Sequence, residues 1–400
     1  MSIVRRLGAK VLRLVHGALG NVLERLSLPI QNQVITLKPD GPVRGHVLLS
    51  YRIEFFLNKS NQPVNSYHPS WVITQRMAKE FLDFGFAVDI IANTNATFSP
   101  KKDYSFFIDT RMNFERLAPR LNKDCVKILH VTTAHPYFHN AAEANRLMAL
   151  QERKHVTVRS RRNMPLKYAV AVEYADCLTV PSDFCMQTFR YANKPFYVVP
   201  NPAEFVYPWT EGKIVESCRS RFLWLGSEGM VHKGLDLVLE AFSGMPEYHL
   251  TVCGPVANEK DFERVYDQEL YHTPNIHTFG WIDIGSQEFV DLASRCIGFV
   301  YPSCSEGSAG AVITCLHAGL IPIISRESGV DVGKDEGIVL DDCSIEAIQG
   351  AVRQMATAST EELKQRSRNA WEFARANHTM ENFQNQYKKM VEKIIADYQK

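Results

Sequence analysis

The chain has almost no excess of one charge: 45 Lys and Arg face 44 Asp and Glu in 400 residues, a formal net charge of +1. No global basic field exists to hold a polyanion, which excludes bulk nucleic-acid binding. Cysteine pairing is missing as well. The nine cysteines (Cys125, Cys177, Cys185, Cys218, Cys253, Cys296, Cys304, Cys315, Cys343) are odd in number and scattered, with no C-x-x-C. They read as reduced thiols of a cytoplasmic protein. Gly and Pro number only 22 and 19, so the chain is neither collagen-like nor low-complexity. The longest uncharged stretch, 307–325, holds Ser308, Gly310, His317, Gly319 and Pro322. It divides into a helix, a glycine turn and a buried strand rather than forming a membrane span of about 20 apolar residues. No small-residue cleavage pattern marks a secretory signal. No G-x-G-x-x-G follows a strand, which disfavours a dehydrogenase. His130, His135 and His139 lack an H-E-x-x-H helix or paired cysteines to complete a tetrahedral set, so no metal is expected.

What is present is length and alternation. At about 100 to 200 residues per domain, 400 residues predict two domains. Residues 1–28 carry Ile3, Leu7, Val11, Leu14, Val22 and Leu26 near helical spacing with Arg5, Arg6, Lys10, Arg13 and Arg25 between them. That basic amphipathic helix suits either packing on its own domain or peripheral contact with an anionic membrane, and periodicity alone does not choose. From His46, strand-like runs (HVLLSY, AVDIIA, YSFFID, VKILHV, CLTVP, FYVVP) alternate with helical ones. A second series follows, RFLWLG, HLTVCG, IHTFGW, GFVYP, IPIIS and GIVLDD, with helices between and three helices closing the chain. Such alternation means parallel sheets.

The expected division is a helix at 1–28, a first Rossmann-like domain at 29–204, a linker at 205–219, a second Rossmann-like domain at 220–379, and a helix at 380–400 packing back toward the first domain. The fold class is α/β, with two Rossmann-like, doubly wound parallel-sheet domains facing a cleft. The interdomain cleft at the strand C-termini is the default ligand site.

Chemistry concentrates after the GFVYP strand. There a short loop carries Glu306-Gly307-Ser308 into a helix beginning near Ala309. Gly307 permits close approach, Ser308 suits an N-cap, and the helix dipole favours an anion. Any strand-to-helix turn offers as much, so the loop alone is not specific. Glu306 adds a carboxylate suited to accepting hydrogen bonds from sugar hydroxyls.

The segments GSEGMVHKGLDLVLEAF (226–242), LTVCGP, HTFGWI and YPSCSEGSAGAVITCLHAGLIPII (301–324), preceded by EYADCLTVPSDFCMQTF and VVPNPAEF, resemble retaining glycosyltransferases of family 4, which have the GT-B fold. The resemblance covers most of residues 70–395. It implies a metal-independent, hexosyltransferase-type enzyme of polysaccharide biosynthesis. Such an enzyme takes a nucleotide-diphosphate sugar as co-substrate, needs no other cofactor, and has a glycan, lipid-linked or small-molecule acceptor.

On this resemblance Lys233 binds the donor diphosphate, and Gly307, Ser308 and Ala309 line the phosphate site. Glu306 touches the transferred sugar. Ser227 stands where the family usually has an Arg, and Thr314 where it has a second Glu for the ribose. The acceptor-side histidine falls at His135, beyond the strand end, in preference to His130 within the hydrophobic run. The two departures keep open a non-catalytic nucleotide- or glycan-binding protein, and a nucleotide-sugar epimerase is a third reading.

Overall fold

The computed structural model describes residues 31–57, 69–209 and 215–398, so the helix expected over 1–28 lies outside the described residues. The chain divides into two compact units, Met1–Gln62 with Ser70–Ile128, and Pro63–Pro69 with Leu129–Lys400.

In the first unit, strands β1 (Val34–Leu37), β2 (Gly45–Tyr51), β3 (Phe86–Ala92) and β4 (Phe106–Asp109) lie in the order β1-β3-β2-β4. β2 pairs in parallel with β3 and β4. Both β3 and β4 are buried at every position, as strands covered on two faces are, and this is why they read as near-continuous apolar runs interrupted only by Asp89 and Asp109. Phe81 from the helix Pro69–Asp83 meets Phe86 and Phe106 with ring centroids 6.4 and 5.4 Å away. β1, antiparallel to β3, has no counterpart in the sequence pattern, because its four residues are exposed or half-buried and carry little periodic signal.

β5 (Val126–His130) leads the chain into the second unit, where β6 (Cys177–Val180) and β7 (Phe196–Val198) pair in parallel. A six-stranded sheet follows, made of β8 (Arg221–Leu225), β9 (His249–Cys253), β10 (Ile276–Gly280), β11 (Gly298–Tyr301), β12 (Ile321–Ser325) and β13 (Ile338–Leu340). Its order is β10-β9-β8-β11-β12-β13, with every pairing parallel. Counted from β8 this is 3-2-1-4-5-6, the Rossmann order, whose strand direction of travel reverses between β8 and β11. The fold class is therefore α/β with two predominantly parallel sheets. Among the helices between these strands, the run after β9 forms two pieces, Lys260–Val265 and Asp267–Tyr271.

The sheets break between β7 and β8, near the boundary expected at 204, but the packing does not. Residues 129–204 belong to the same compact unit as the second sheet. The cause is the helix Pro136–Lys154, which buries Leu150 in the core built on β8–β13. Its last turn adds ion pairs from Arg153 to Asp236 (2.6 Å) and Glu240 (3.2 Å), and from Lys154 to Glu269 (2.7 Å). Of the expected linker, residues 210–214 lie outside the described residues and Val215–Cys218 forms a helical turn. The closing helix Met380–Tyr398 buries Phe383, Tyr387 and Ile394 and holds Lys393 5.6 Å over the ring of Tyr197, which follows from its apolar stripe.

Candidate active site

In a Rossmann sheet the switch point, here between β8 and β11, is where ligands bind beyond the strand C-termini, and the loop after each of these two strands carries one charged side chain there. After β8 the chain turns through 226–234 into the helix Leu235–Ser243. Gly234 is the N-cap in a left-handed conformation (φ +74), and a Cβ on it would come within 2.5 Å of the Pro302 carbonyl oxygen. Only glycine lets the two loops close this far, and the closure aims the neighbouring Lys233 at the β11 loop.

The Lys233 ammonium meets Glu306 Oε1 at 2.7 Å, with the two side chains only 6% and 12% exposed. Tyr301 donates its hydroxyl to the same oxygen at 3.1 Å. Burial alone would raise the Glu306 pKa, but the charges of Lys233 and Arg162, joined by His232 once it is protonated at acid pH, prevail and hold it down at about 2. The Tyr301 hydroxyl goes the other way: burial and the Glu306 carboxylate push its pKa well above the usual range, so it stays a donor.

Beside this pair lies a neutral imidazole network. His232 Nε2 donates to the Ser305 carbonyl at 2.5 Å, leaving Nδ1 as acceptor 3.5 Å from the Cys304 thiol. Burial brings the His232 pKa down to about 4. His139 Nε2 donates to the Arg162 carbonyl at 2.6 Å, so its Nδ1 accepts from Ser305 Oγ at 3.1 Å. Burial lowers its pKa also. Glu143, one turn along the same helix, accepts from Ser160 Oγ at 2.9 Å and from the N–H groups of Arg161 and Arg162 at 2.8 and 3.0 Å. Helix, β8 loop, β11 loop and the 160–162 segment thus form one hydrogen-bonded block.

The residues singled out from sequence fare differently. Lys233 and Glu306 come together, with Gly307 in the same loop. Gly307 serves close approach, but to protein: a Cβ there would overlap the Thr132 carbonyl, and its own carbonyl accepts from Ser182 Oγ at 2.6 Å. Ser308 is not the N-cap of the helix Gly310–His317. Ala309 is, and with no hydroxyl it makes no side-chain cap. The Ala309 amide donates to the Ser328 carbonyl at 2.9 Å and is not free for a phosphate. Ser308 Oγ is buried with no hydrogen-bond partner among the described residues. Ser227 is exposed after Gly226, and Thr314 is buried in the helix Gly310–His317.

His135 is itself a helix cap. Its Nδ1 accepts from the Tyr137 N–H at 3.3 Å, and its Nε2 lies 3.2 Å from the Tyr191 hydroxyl. His130 is a core residue bonded to Thr179 Oγ1 at 2.7 Å. The imidazole that meets the Ser305 loop is that of His139, four residues beyond His135 on the same helix. That spacing was a readable signal, whereas His232, Glu143 and Arg162 gave none without the fold.

His139, Glu143 and His232 are also the one group of potential metal ligands among the described residues, with ligand atoms within 4.8 Å of one another. Both nitrogens of His139, Nε2 of His232 and both oxygens of Glu143 already hold hydrogen bonds, so the trio fits a polar network better than a ligand set.

Residues 229–373 match the family described as glycosyl transferases group 1. Among solved structures, sucrose-phosphate synthase from Thermosynechococcus elongatus is similar, with a TM-score of 0.60, 14% identity, and cover of 88% of this chain and 99% of that one. Anabaena HepE, solved with UDP-glucose, has a TM-score of 0.54 and 12% identity over 88% of this chain and 100% of its own. S. aureus TarM, solved with UDP, has a TM-score of 0.51 and 9% identity over 71% of this chain, which spans 55% of TarM. These likenesses establish the GT-B fold. No curated protein sequence matches the chain.

Proposed function

We propose that the protein is a retaining glycosyltransferase that moves a sugar from a nucleotide-diphosphate sugar to a hydroxyl acceptor without a metal ion. The observation that carries this reading is the buried Lys233–Glu306 pair at the C-terminal ends of β8 and β11. An ammonium there can take charge building on a leaving diphosphate, and a carboxylate held ionised can accept from sugar hydroxyls. The match of 229–373 to glycosyl transferases group 1 supports the same assignment. In the front-face course, the bond from the anomeric carbon to the diphosphate oxygen breaks and the acceptor oxygen bonds that carbon from the same side. The acceptor proton passes to the departing phosphate oxygen, so no protein nucleophile is required.

HepE and TarM were solved with UDP-glucose and UDP, which makes uridine donors the first to test. Purified protein is offered UDP-sugars, GDP-sugars and ADP-sugars, and both transfer and donor hydrolysis are followed by nucleotide release. Turnover with one donor, abolished in Lys233→Ala and Glu306→Gln, is the expected result. Unchanged turnover in both variants would overturn the reading. Ser227 and Thr314 favour one alternative, a binding protein without turnover, for which calorimetry would give nucleotide affinity with no release.

A further inference from the structure

Of the three arginines in the segment after the helix Pro136–Lys154, Arg159 is exposed and gives only its backbone N–H to Asp261 (2.8 Å), and Arg161 forks its guanidinium onto Asp261 and lies 3.8 Å from Glu259. Arg162 differs. Its N–H is held by Glu143 (3.0 Å) and its carbonyl by His139 Nε2 (2.6 Å), so the backbone is fixed from both sides. Its guanidinium Nε is buried and has no hydrogen-bond partner among the described residues. Its stem lies against Gly229, where a Cβ would stand 2.7 Å from Arg162 Cγ. Gly229 belongs to the same β8 loop that carries Lys233.

A buried donor with nothing to bond costs about 1–3 kcal/mol, and a charged one more, so a protein that pins such a group in place holds it for an occupant. The occupant must be an acceptor, anionic, and reachable from the 226–233 loop.

We propose that Arg162 binds the diphosphate of the donor together with Lys233. This rests on the glycosyltransferase reading and extends it, because the second cation comes from outside the segment 229–373 that matches the family. Arg162 offers a planar fork suited to two phosphate oxygens, whereas Lys233 is a point charge already engaged by Glu306. It also supplies the positive charge that Ser227 does not. The Glu143 and His139 contacts act as its positioning shell, fixing where the side chain starts while Nε stays without a hydrogen-bond partner among the described residues.

The test is isothermal calorimetry with UDP, GDP and ADP and with the matching nucleosides, on the full chain and on Arg162→Met, Arg162→Lys and Lys233→Met. Arg162→Met keeps the apolar stem against Gly229, and thermal unfolding checks that each variant is folded. The expected result is that one diphosphate binds the wild-type chain. Its affinity falls 10- to 100-fold in Arg162→Met and less in Arg162→Lys, and the nucleoside binds all three alike. A merely structural role would lower diphosphate and nucleoside affinity together, and that result overturns the proposal. Full diphosphate affinity in Arg162→Met, with loss in Lys233→Met, overturns it while leaving the glycosyltransferase reading intact. If no nucleoside diphosphate binds the wild-type chain, both fall.

Discussion

Replacing Lys233 by Met removes the ammonium from a pair that is almost fully buried and leaves the Glu306 carboxylate behind. The carboxylate titrates at about 2 in the folded chain against an ordinary 4.5, a difference of about 3 kcal/mol at neutral pH. Because the folded value lies below the unfolded one, this stabilisation is present above about pH 4.5 and is lost as pH falls through 2. His232 and Arg162 contribute part of the shift, so Lys233 does not own all of it. Leaving one partner of a buried pair uncompensated nevertheless costs about 3–5 kcal/mol in general. We therefore expect Lys233→Met to lose about 3 kcal/mol at pH 7. Lys233→Met with Glu306→Gln should recover most of it, because the amide needs no countercharge. Urea unfolding followed by tryptophan fluorescence measures this well, since Trp224 is fully buried and directs its indole N–H at the Lys233 carbonyl. A single variant within 0.5 kcal/mol of wild type, or a double variant no better than the single, would refute the reasoning.

Gly307→Ala should cost about 1–3 kcal/mol, because the added methyl overlaps the backbone of Thr132 and Thr133, which cannot rotate away; wild-type stability and turnover in that variant would show the loop to be loosely held. Burial lowers the pKa values of His130, His232 and His317 to about 4, so the unfolded chain binds more protons below pH 6.5. Stability should hold above pH 6.5 and drain away as pH falls toward 4, and an unfolding midpoint flat from pH 7 to 5 would contradict this. Asp109 works in the opposite sense, since burial raises its pKa to about 6 despite bonds from Ser50 Oγ and the N–H groups of Arg111 and Asn113. Its charge penalises the fold as pH rises through 6, so Asp109→Asn should be neutral or stabilising at pH 8 by thermal unfolding, and a large loss there would refute it.

The alternation of apolar runs and helices was legible because parallel strands covered on both faces are predominantly apolar, as β3, β4, β11 and β12 are apart from Asp89, Asp109 and Ser325. Lys233 and Glu306 stood out in the sequence because each lies in the loop after a parallel strand, where this fold class places ligands, and the structure brings the two side chains together. Sequence did not show that His139, a turn beyond His135 on the same helix, is the imidazole that meets the β11 loop, because periodicity does not say which turn of that helix faces it. Ser308 looked like a cap since a hydroxyl precedes the helix, yet the backbone begins the helix one residue later. Arg162 could not be separated from Arg159 and Arg161 by composition. What distinguishes it is that Arg159 is exposed and Asp261 takes the Arg161 guanidinium across about a hundred residues, while Arg162 Nε is buried with no partner among the described residues.

The pairing of Lys233 with Glu306 also constrains how a donor must enter. The ammonium is already satisfied by the carboxylate at 2.7 Å, so a diphosphate cannot gain the full attraction of Lys233 without weakening that bond. The sugar of the same donor compensates, since its hydroxyls can donate to the Glu306 oxygens as the ammonium leans toward phosphate. A free nucleoside diphosphate brings no such hydroxyls and must either share Lys233 with Glu306 or rely on another cation. With Arg162 as that cation, Glu306→Gln should raise affinity for the free diphosphate by releasing Lys233, while lowering affinity for the sugar-bearing donor. Opposite signs for the two ligands in one variant, read by calorimetry, are what an exchange of partners demands; a change of equal sign for both would mean that Glu306 and Lys233 act on the donor independently.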